Sequence, residues 1–276
     1  MTIAFNHLGR MGQLGNQMFQ YASLKGIARN RGRDYMIPNN TEVVVDSLGN
    51  RLRTEIFRPF DLNQELKVGQ LQTEKYIQEP HFHFSKELFS TCPDNVSLVG
   101  YFQSPRYFNH IRYEILKDFT FKSHILEPCE QMMEGIEEPI ALHIRRGDFI
   151  TNVENHFNQS LEYYEEALRK FDDDRQVIIF SDDTAWCKEQ DLFKGDRFMV
   201  SESGSHDIYM CLMTLCHSFI IANSTFSWWP AWLSIKGAAT GNLTKKVIYP
   251  KQWFGITGYT KDHDVTDLFP EEWIKL

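Results

Sequence analysis

Hydrophobic and polar positions fall into short apolar runs separated by polar, glycine-bearing turns, and from residue 140 onward the runs alternate regularly. Ile140–Ile144 is unbroken and short, the pattern of a strand buried on both faces. "SLEYYEEALRKF" follows with Tyr164, Leu168 and Phe171 on one helical face, and "QVIIFSDD" is a second strong strand. "AWCKEQDLF" predicts a short helix and "RFMVS" a strand. "HDIYMCLMTLCHS" predicts a helix, with Ile208, Cys211, Leu212 and Leu215 at i, i+3, i+4 and i+7. "FIIANS" is a strand, "FSWWPAWLSI" a helix and "KKVIYP" a last strand. Strands alternating with helices over about 110 residues imply a parallel sheet covered on both faces.

The first half is less regular. Residues 2–8 suit a strand, Gly9, Gly12 and Gly15 a turn, and 16–30 a helix that Gly32 ends. "DYMIP" predicts a second strand, 41–75 is charged and irregular, 96–103 predicts a strand opening into a loop, and 105–118 a helix. The stretch 123–139 is polar, carries Pro128 and Pro139, and is expected to be a domain junction. The expected organisation is therefore a first lobe over 1–135, a second over 136–250, and an aromatic-rich tail, 251–276, returning to the first.

Composition narrows the function. The chain has 276 residues, 42% of them hydrophobic, enough for a packed core, and a net charge of −8 that argues against general nucleic-acid binding. Any cationic site must be local. The five cysteines are scattered without a CxxC, which points to reduced thiols in a cytoplasm rather than a disulfide or zinc framework. The N-terminal residues lack a signal-peptide pattern, and the longest apolar stretch is too polar to span a membrane.

Three constellations carry candidate chemistry. Ligands of doubly wound sheets bind outside the carboxyl ends of the strands, and Arg145 and Arg146 follow the Ile140–Ile144 strand there, with His143 just before and Asp148 just after them. An arginine fork suits phosphate oxygens and can stabilise a departing phosphate; the competing role is an ion pair with Asp148 that holds a loop. In "GRMGQLGNQMFQYA" the spacing is Gly9-x-x-Gly12-x-x-Gly15 rather than a dinucleotide fingerprint, and Asp34 lies at the wrong end of its strand to reach a ribose. Asn16 and Gln17 are either ligand-facing or helix-capping. Asn223, Ser224 and Thr225 stand where a buried strand turns into a helix, a place for a phosphate or a sugar, or for an ordinary cap. Trp228, Trp229 and Trp232 repeat at helical spacing and belong to the core. Asp207, in the first turn of its helix, either complements the helix dipole or accepts the two neighbouring donors of a guanine edge.

Weaker signals remain. Glu79, His81 and His83 alternate, so an extended backbone would place all three on one face as cleft lining, metal ligands or acid and base. "DDD" at 172–174 and "DHD" at 262–264 formally match the short Asp-x-Asp pattern that holds metals on nucleotide sugars.

Taken together and in order, "GQLGNQMFQYA", "GYFQSPRYF", "HIRRGDF", "FSDD" and "NSTFSWWPAWL" resemble the bacterial-type α-1,2-fucosyltransferases of glycosyltransferase family 11 over roughly residues 9–250. The His-x-Arg-Arg signature is shared with α-1,6- and protein O-fucosyltransferases. The resemblance implies a GT-B-like α/β fold of two Rossmann-like lobes with parallel sheets and a cleft between them. It implies inverting, metal-independent transfer from GDP-β-L-fucose to the 2-hydroxyl of a galactoside, with no other cofactor. By similarity, Arg145 holds the β-phosphate, flanked by His143 and Arg146. Asp207 reads guanine, Asn223, Ser224, Thr225 and Phe226 line the donor pocket, and Gly15, Asn16 and Gln17 approach from the other lobe. Glu79, His81, His83 and Gln103 are acceptor-side candidates. Arg145 and Asp148 are the expected catalytic pair, with Asp148 the first choice of general base because the signature places it beside the donor site, and Glu154 and Glu79 the alternatives. The expected partners are GDP-fucose and a galactose-containing glycan, not nucleic acid. Lipid-linked glycans would bring the protein transiently to the inner membrane face, although no basic amphipathic helix is evident. The competing readings are a GDP-sugar transferase of other linkage or acceptor, an NAD-dependent oxidoreductase, and a non-catalytic glycan-binding protein.

Overall fold

The computed structural model describes residues 1–46, 49, 51–202, 204–234 and 244–276. By its contacts the chain forms two compact units, Met1–Lys122 with His263–Pro270, and Ser123–Asp262 with Glu271–Leu276.

In the first unit, β1 (Thr2–Ala4) leads through the glycine turn into α1 (Leu14–Arg31), which Gly32 ends, and then β2 (Asp34–Ile37). The segment expected to be irregular contains a small antiparallel hairpin, β3 (Val44–Val45) with β4 (Arg51–Leu52), and an edge strand, β5 (Lys67–Val68). β6 (Tyr76–Gln78), α2 (Lys86–Thr91) and β7 (Val96–Val99) follow. The predicted helix over 105–118 is two 3-10 turns, Pro105–Tyr107 and Asn109–Ile111, before α3 (Arg112–Asp118). Phe108, at φ −132° and ψ 1°, departs from helical geometry and interrupts it. The sheet is parallel throughout, in the order β5-β2-β1-β7-β6. Beside it, the fully buried Lys25 of α1 is neutralised by Asp118 at 2.6 Å, and Tyr21 donates to the same carboxylate at 2.7 Å.

The second unit begins earlier than expected. The stretch 123–139 is not a bare junction, because α4 (Ser123–Met132) occupies most of it with Pro128 inside. Ile125 and Cys129, one turn apart, are its buried face, and Cys129 Sγ donates to the carbonyl of Ile208 at 3.8 Å. β8 (Ile140–Ile144), α5 (Gly147–Thr151), α6 (Leu161–Leu168), β9 (Val177–Ser181), α7 (Thr184–Glu189) and β10 (Phe198–Val200) continue the alternation. α8 (His206–Thr214), β11 (Ser218–Ile220), α9 (Thr225–Leu233), β12 (Val247–Tyr249) and β13 (Ile274–Lys275) complete it. The end of the predicted "FSWWPAWLSI" helix, Ile235, lies outside the described residues.

All six strands are parallel, in the order β10-β9-β8-β11-β12-β13. Counted from β8, this is the Rossmann order 3-2-1-4-5-6, whose direction of winding reverses between β8 and β11. The tail does not return to the first lobe as a block: only His263–Pro270 does so, while β13 extends the second sheet. Trp228, Trp229 and Trp232 are buried against one another and Trp273, as their spacing predicts. Among the described residues, no helix is long and apolar enough to cross a membrane.

Candidate active site

Register fixes what meets at the carboxyl edge of the second sheet. Leu142 lies opposite both Ile179 and Ile220, so the chain leaving β8 runs between those leaving β9 and β11. Three sequence motifs thereby converge: Arg145-Arg146 after β8, Asp182-Asp183 after β9, and Asn223–Phe226 after β11. They converge where the order of winding reverses, the place at which open α/β sheets bind ligands.

Each arginine is held by acids. Arg145 Nη2 donates to Asp148 Oδ1 at 2.6 Å, and its Nη1 lies 3.1 Å from Asp182 Oδ2. Arg146 Nε donates to Asp183 Oδ2 at 3.0 Å, its guanidinium lies 4.0 Å from the centre of the Trp186 ring, and its backbone N–H donates to Asp182 Oδ1 at 2.9 Å. The Trp186 amide and then the Arg146 guanidinium hold the Asp183 carboxyl below the usual carboxylate range. Charge-assisted pairs of this kind fix a guanidinium in one orientation, and about a quarter of each arginine side chain remains exposed. Asp182, Asp183 and Trp186 received no role on the sequence, although the acidic pair ending a strong strand was the available signal.

His143 points inward from β8, 4% exposed, with Nδ1 buried and without a hydrogen-bond partner among the described residues. Burial, aided by the Arg145 charge, pushes its pKa down to about 3, so the imidazole is neutral. Its ring lies 5.7 Å from that of Phe226, which in turn lies 6.1 Å from His206 at the start of α8. Asp207, next in α8's first turn, is buried. Ser224 caps α9 by accepting from the Phe226 amide at 3.2 Å, and Thr225 opens the helix. The Asn223 amide is committed to the fold: it donates to the carbonyls of Phe157 and Trp253 and accepts from Gln159. The Glu154 carbonyl accepts from the Gly258 amide at 2.8 Å, which ties the α5–α6 connection to the tail.

The carboxyl edge of the first sheet gathers the remaining candidates. Gly15, Asn16 and Gln17 lie inside the first turn of α1 rather than at its cap, which is Gln13. Gln17 is structural in its contacts: its amide donates to the Gly12 and Arg53 carbonyls and accepts from the Glu55 amide. Asn16 Oδ1 accepts from Gln103 Nε2 at 3.0 Å, which joins the first turn of α1 to the loop after β7. Glu79, just past β6, is half-buried with both carboxylate oxygens turned onto the backbone, accepting from the Tyr101 and Phe102 amides at 2.7 and 2.8 Å. These bonds hold a turn in which Gly100 has φ +147° and Phe102 φ +53°; a Cβ on Gly100 would come within 2.4 Å of the Glu79 side chain. Burial pushes the Glu79 carboxyl up to about 7, against the pull of those two amides.

Glu79, His81 and His83 do not share one face of an extended strand. β6 ends at Gln78 and the chain bends, so that His81 and His83 stack at 3.6 Å with planes 10° apart while Glu79 turns away to residues 101–102. His81 Nδ1 also meets the carbonyl of His83 at 2.8 Å. In the two Asp-x-Asp stretches, Asp173 pairs with Arg197 at 3.0 Å, and Asp264 accepts from the Thr266 amide at 2.9 Å.

The model of glycosyl transferase family 11 matches residues 3–257. The chain belongs to that family. The O-antigen biosynthesis glycosyltransferase WbnK of Escherichia coli is 28% identical over 96% of this chain and 98% of its own length. An α-1,2-colitosyltransferase of the same organism is 28% identical over 96% of each. Galactoside α-(1,2)-fucosyltransferase 2 of Sus scrofa is 29% identical over 82% of this chain and 69% of its own. Among solved structures, POFUT1 in complex with GDP superposes with a TM-score of 0.57 at 13% identity, covering 90% of this chain and 97% of that one. The α-1,6-fucosyltransferase NodZ soaked with GDP-fucose gives 0.54 at 15%, covering 84% and 92%. The fold of this family 11 glycosyltransferase is thus the GT-B-type pair of Rossmann-like units found in those enzymes.

Proposed function

We propose that this family 11 enzyme transfers L-fucose from GDP-β-L-fucose to the 2-hydroxyl of a galactoside, with inversion and without a metal ion. The second unit takes the donor and the first the acceptor. The observation that carries the donor assignment is the placement of Arg145 at the reversal point of the Rossmann sheet, between the Asp182 loop and the start of α9. Family membership, the α-1,2-fucosyltransferase and α-1,2-colitosyltransferase relatives and the GDP-bearing structural neighbours support the sugar and the linkage.

In this reading the acceptor oxygen attacks the anomeric carbon as the bond from that carbon to the β-phosphate oxygen breaks. The electron pair leaves on GDP, where Arg145 stabilises the developing charge. Arg146 keeps the β8–β9 edge in place through Asp183 and Trp186. The orphaned Nδ1 of His143 is accounted for by a donor-sugar or nucleotide partner, since a buried polar atom left unpaired is costly. Asp207 is assigned to guanine, and Ser224, Thr225 and Phe226, at the N-terminus of α9, to the donor's phosphates and sugar. Asn223 holds the turn that presents them.

Of the three carboxylates considered for the proton, Asp148 is committed to Arg145 and is assigned to positioning it. Glu79, with a carboxyl near 7, is matched to accepting a proton at neutral pH and is assigned as the base. The colitosyltransferase relative favours a second reading of the donor, a colitosyl rather than a fucosyl group.

The test is GDP release from GDP-fucose in EDTA, with and without lactose. Lactose-dependent release, with the 2-linkage shown by NMR of the product, is expected. Release only from a colitosyl donor would move the assignment to the second reading. No release and no GDP binding would remove the arginine site altogether.

A further inference from the structure

The family match ends at residue 257, yet the chain continues, and His263–Pro270 packs as part of the first unit. One residue fixes this return. The Asp267 carboxylate accepts from the Phe84 amide at 2.9 Å and lies 3.6 Å from the Arg106 guanidinium, while its carbonyl accepts from Ser104 Oγ at 3.3 Å. These partners belong to the chain that follows β6 and the chain that follows β7. The returning segment therefore sits on the carboxyl edge of the first sheet, the edge that carries the Asn16–Gln103 bond.

What the segment brings to that edge is ring surface. His263 stacks on Phe82 at 4.8 Å with planes 22° apart, next in sequence to the stacked His81 and His83. Asp264 Oδ2 lies 4.0 Å from His83 Nδ1. Phe82 is buried beneath, whereas His81 is exposed and His83 and His263 are half-exposed. Stacked, solvent-reached imidazole rings edged by a carboxylate suit a pyranose: ring surface covers its C–H side, and the polar rim takes its hydroxyls.

We infer that the 263–267 return and the 81–83 loop together form the surface that recognises the galactose ring of the acceptor. The inference rests on the acceptor assignment above, but its test does not need the donor.

The experiment measures binding of methyl β-D-galactopyranoside to the full-length chain by saturation-transfer NMR, with the glucopyranoside as control and no nucleotide present. GDP affinity is measured by calorimetry on the same samples. The unaltered chain is expected to bind the galactoside in preference to the glucoside. His263→Ala and the double variant His81→Ala/His83→Ala should each weaken galactoside binding about tenfold, with GDP affinity changed by less than about twofold. If removal of the ring impairs folding, His263→Gln, which keeps a donor but not the ring face, should show the same loss. Galactoside affinity unchanged in the variants, no galactoside binding by the unaltered chain, or GDP affinity falling in step would each overturn the inference. A chain that binds the galactoside on these rings but transfers no sugar would instead overturn the proposed reaction and leave this surface standing.

Discussion

The two parallel sheets each end in a ligand-ready edge, and the two edges are built from different chemistry. That of the second sheet is ionic: Arg145 and Arg146 are each clasped by an aspartate from β9's end or α5's start. That of the first is built mainly of amides and ring faces, with one ion pair, Asp267 with Arg106, beside them: Asn16 with Gln103, His81 on His83, and the half-buried Glu79 on two backbone amides. Fixed charges cost desolvation and ordering, and they stabilise most where a partner's own charge changes during reaction. Neutral donors and ring faces suit a partner that carries hydroxyls and no charge. In the proposed reaction the same topology would serve a nucleoside diphosphate on one sheet and a sugar on the other.

The sharpest way to break this contrast is Arg145→Ala. It removes the cation proposed to face the departing diphosphate and leaves Asp148 and Asp182 unneutralised beside it. Turnover of GDP-fucose should fall by about 10²–10³-fold or more, by analogy with loss of one preorganised oxyanion donor. Steady-state kinetics with lactose checks it; near-normal turnover would mean that the ionic edge only braces the β8–α5 loop.

The second sheet was legible in the sequence because its strands are buried on both faces and read as unbroken apolar runs, as at Ile140–Ile144 and Val177–Ser181. Parallel pairing then places the ends of those runs side by side, so Asp182 and Asp183 could have been assigned to the arginines from topology alone. The first unit was less legible. β5 and β6 are two and three residues long with exposed faces, and such strands leave no period to detect. The bend after Gln78 that separates Glu79 from His81 and His83 depends on residues 101–102, over twenty positions away. The return of His263–Pro270 rests on Asp267 finding the Phe84 amide, a contact that no local pattern announces.

Glu79→Gln sharpens the contrast from the other side. The amide keeps one acceptor for the Tyr101–Phe102 turn but cannot take a proton, and transfer should fall about 10²-fold with GDP affinity retained. The pH profile separates catalysis from bracing. A base works only when deprotonated, so in the unaltered enzyme kcat/KM should rise with pH through about 7 and level off above it. In the variant that acidic limb should vanish. A limb that persists would leave Glu79 the role of holding the Gly100–Phe102 turn.

Asp148→Asn is expected to have the smallest of the three effects, and it decides between two roles for one carboxylate. Asp148 Oδ1 receives Arg145 Nη2 at 2.6 Å, and Asp182 braces the same guanidinium from β9. An asparagine still accepts a hydrogen bond through its amide oxygen but offers no charge, and Asp182 remains, so the clamp should loosen rather than fail. The expected result is a loss of about tenfold in turnover, with GDP affinity shifted in step and the acidic limb of the pH profile unchanged, since about 1.4 kcal/mol corresponds to one charge-assisted bond reduced to a neutral one. A loss of turnover 10²-fold or larger, with GDP affinity intact and the acidic limb abolished, would instead make Asp148 the base. Glu79 would then be left to the turn it clasps, and the two edges would differ in charge but not in the division of labour drawn between them.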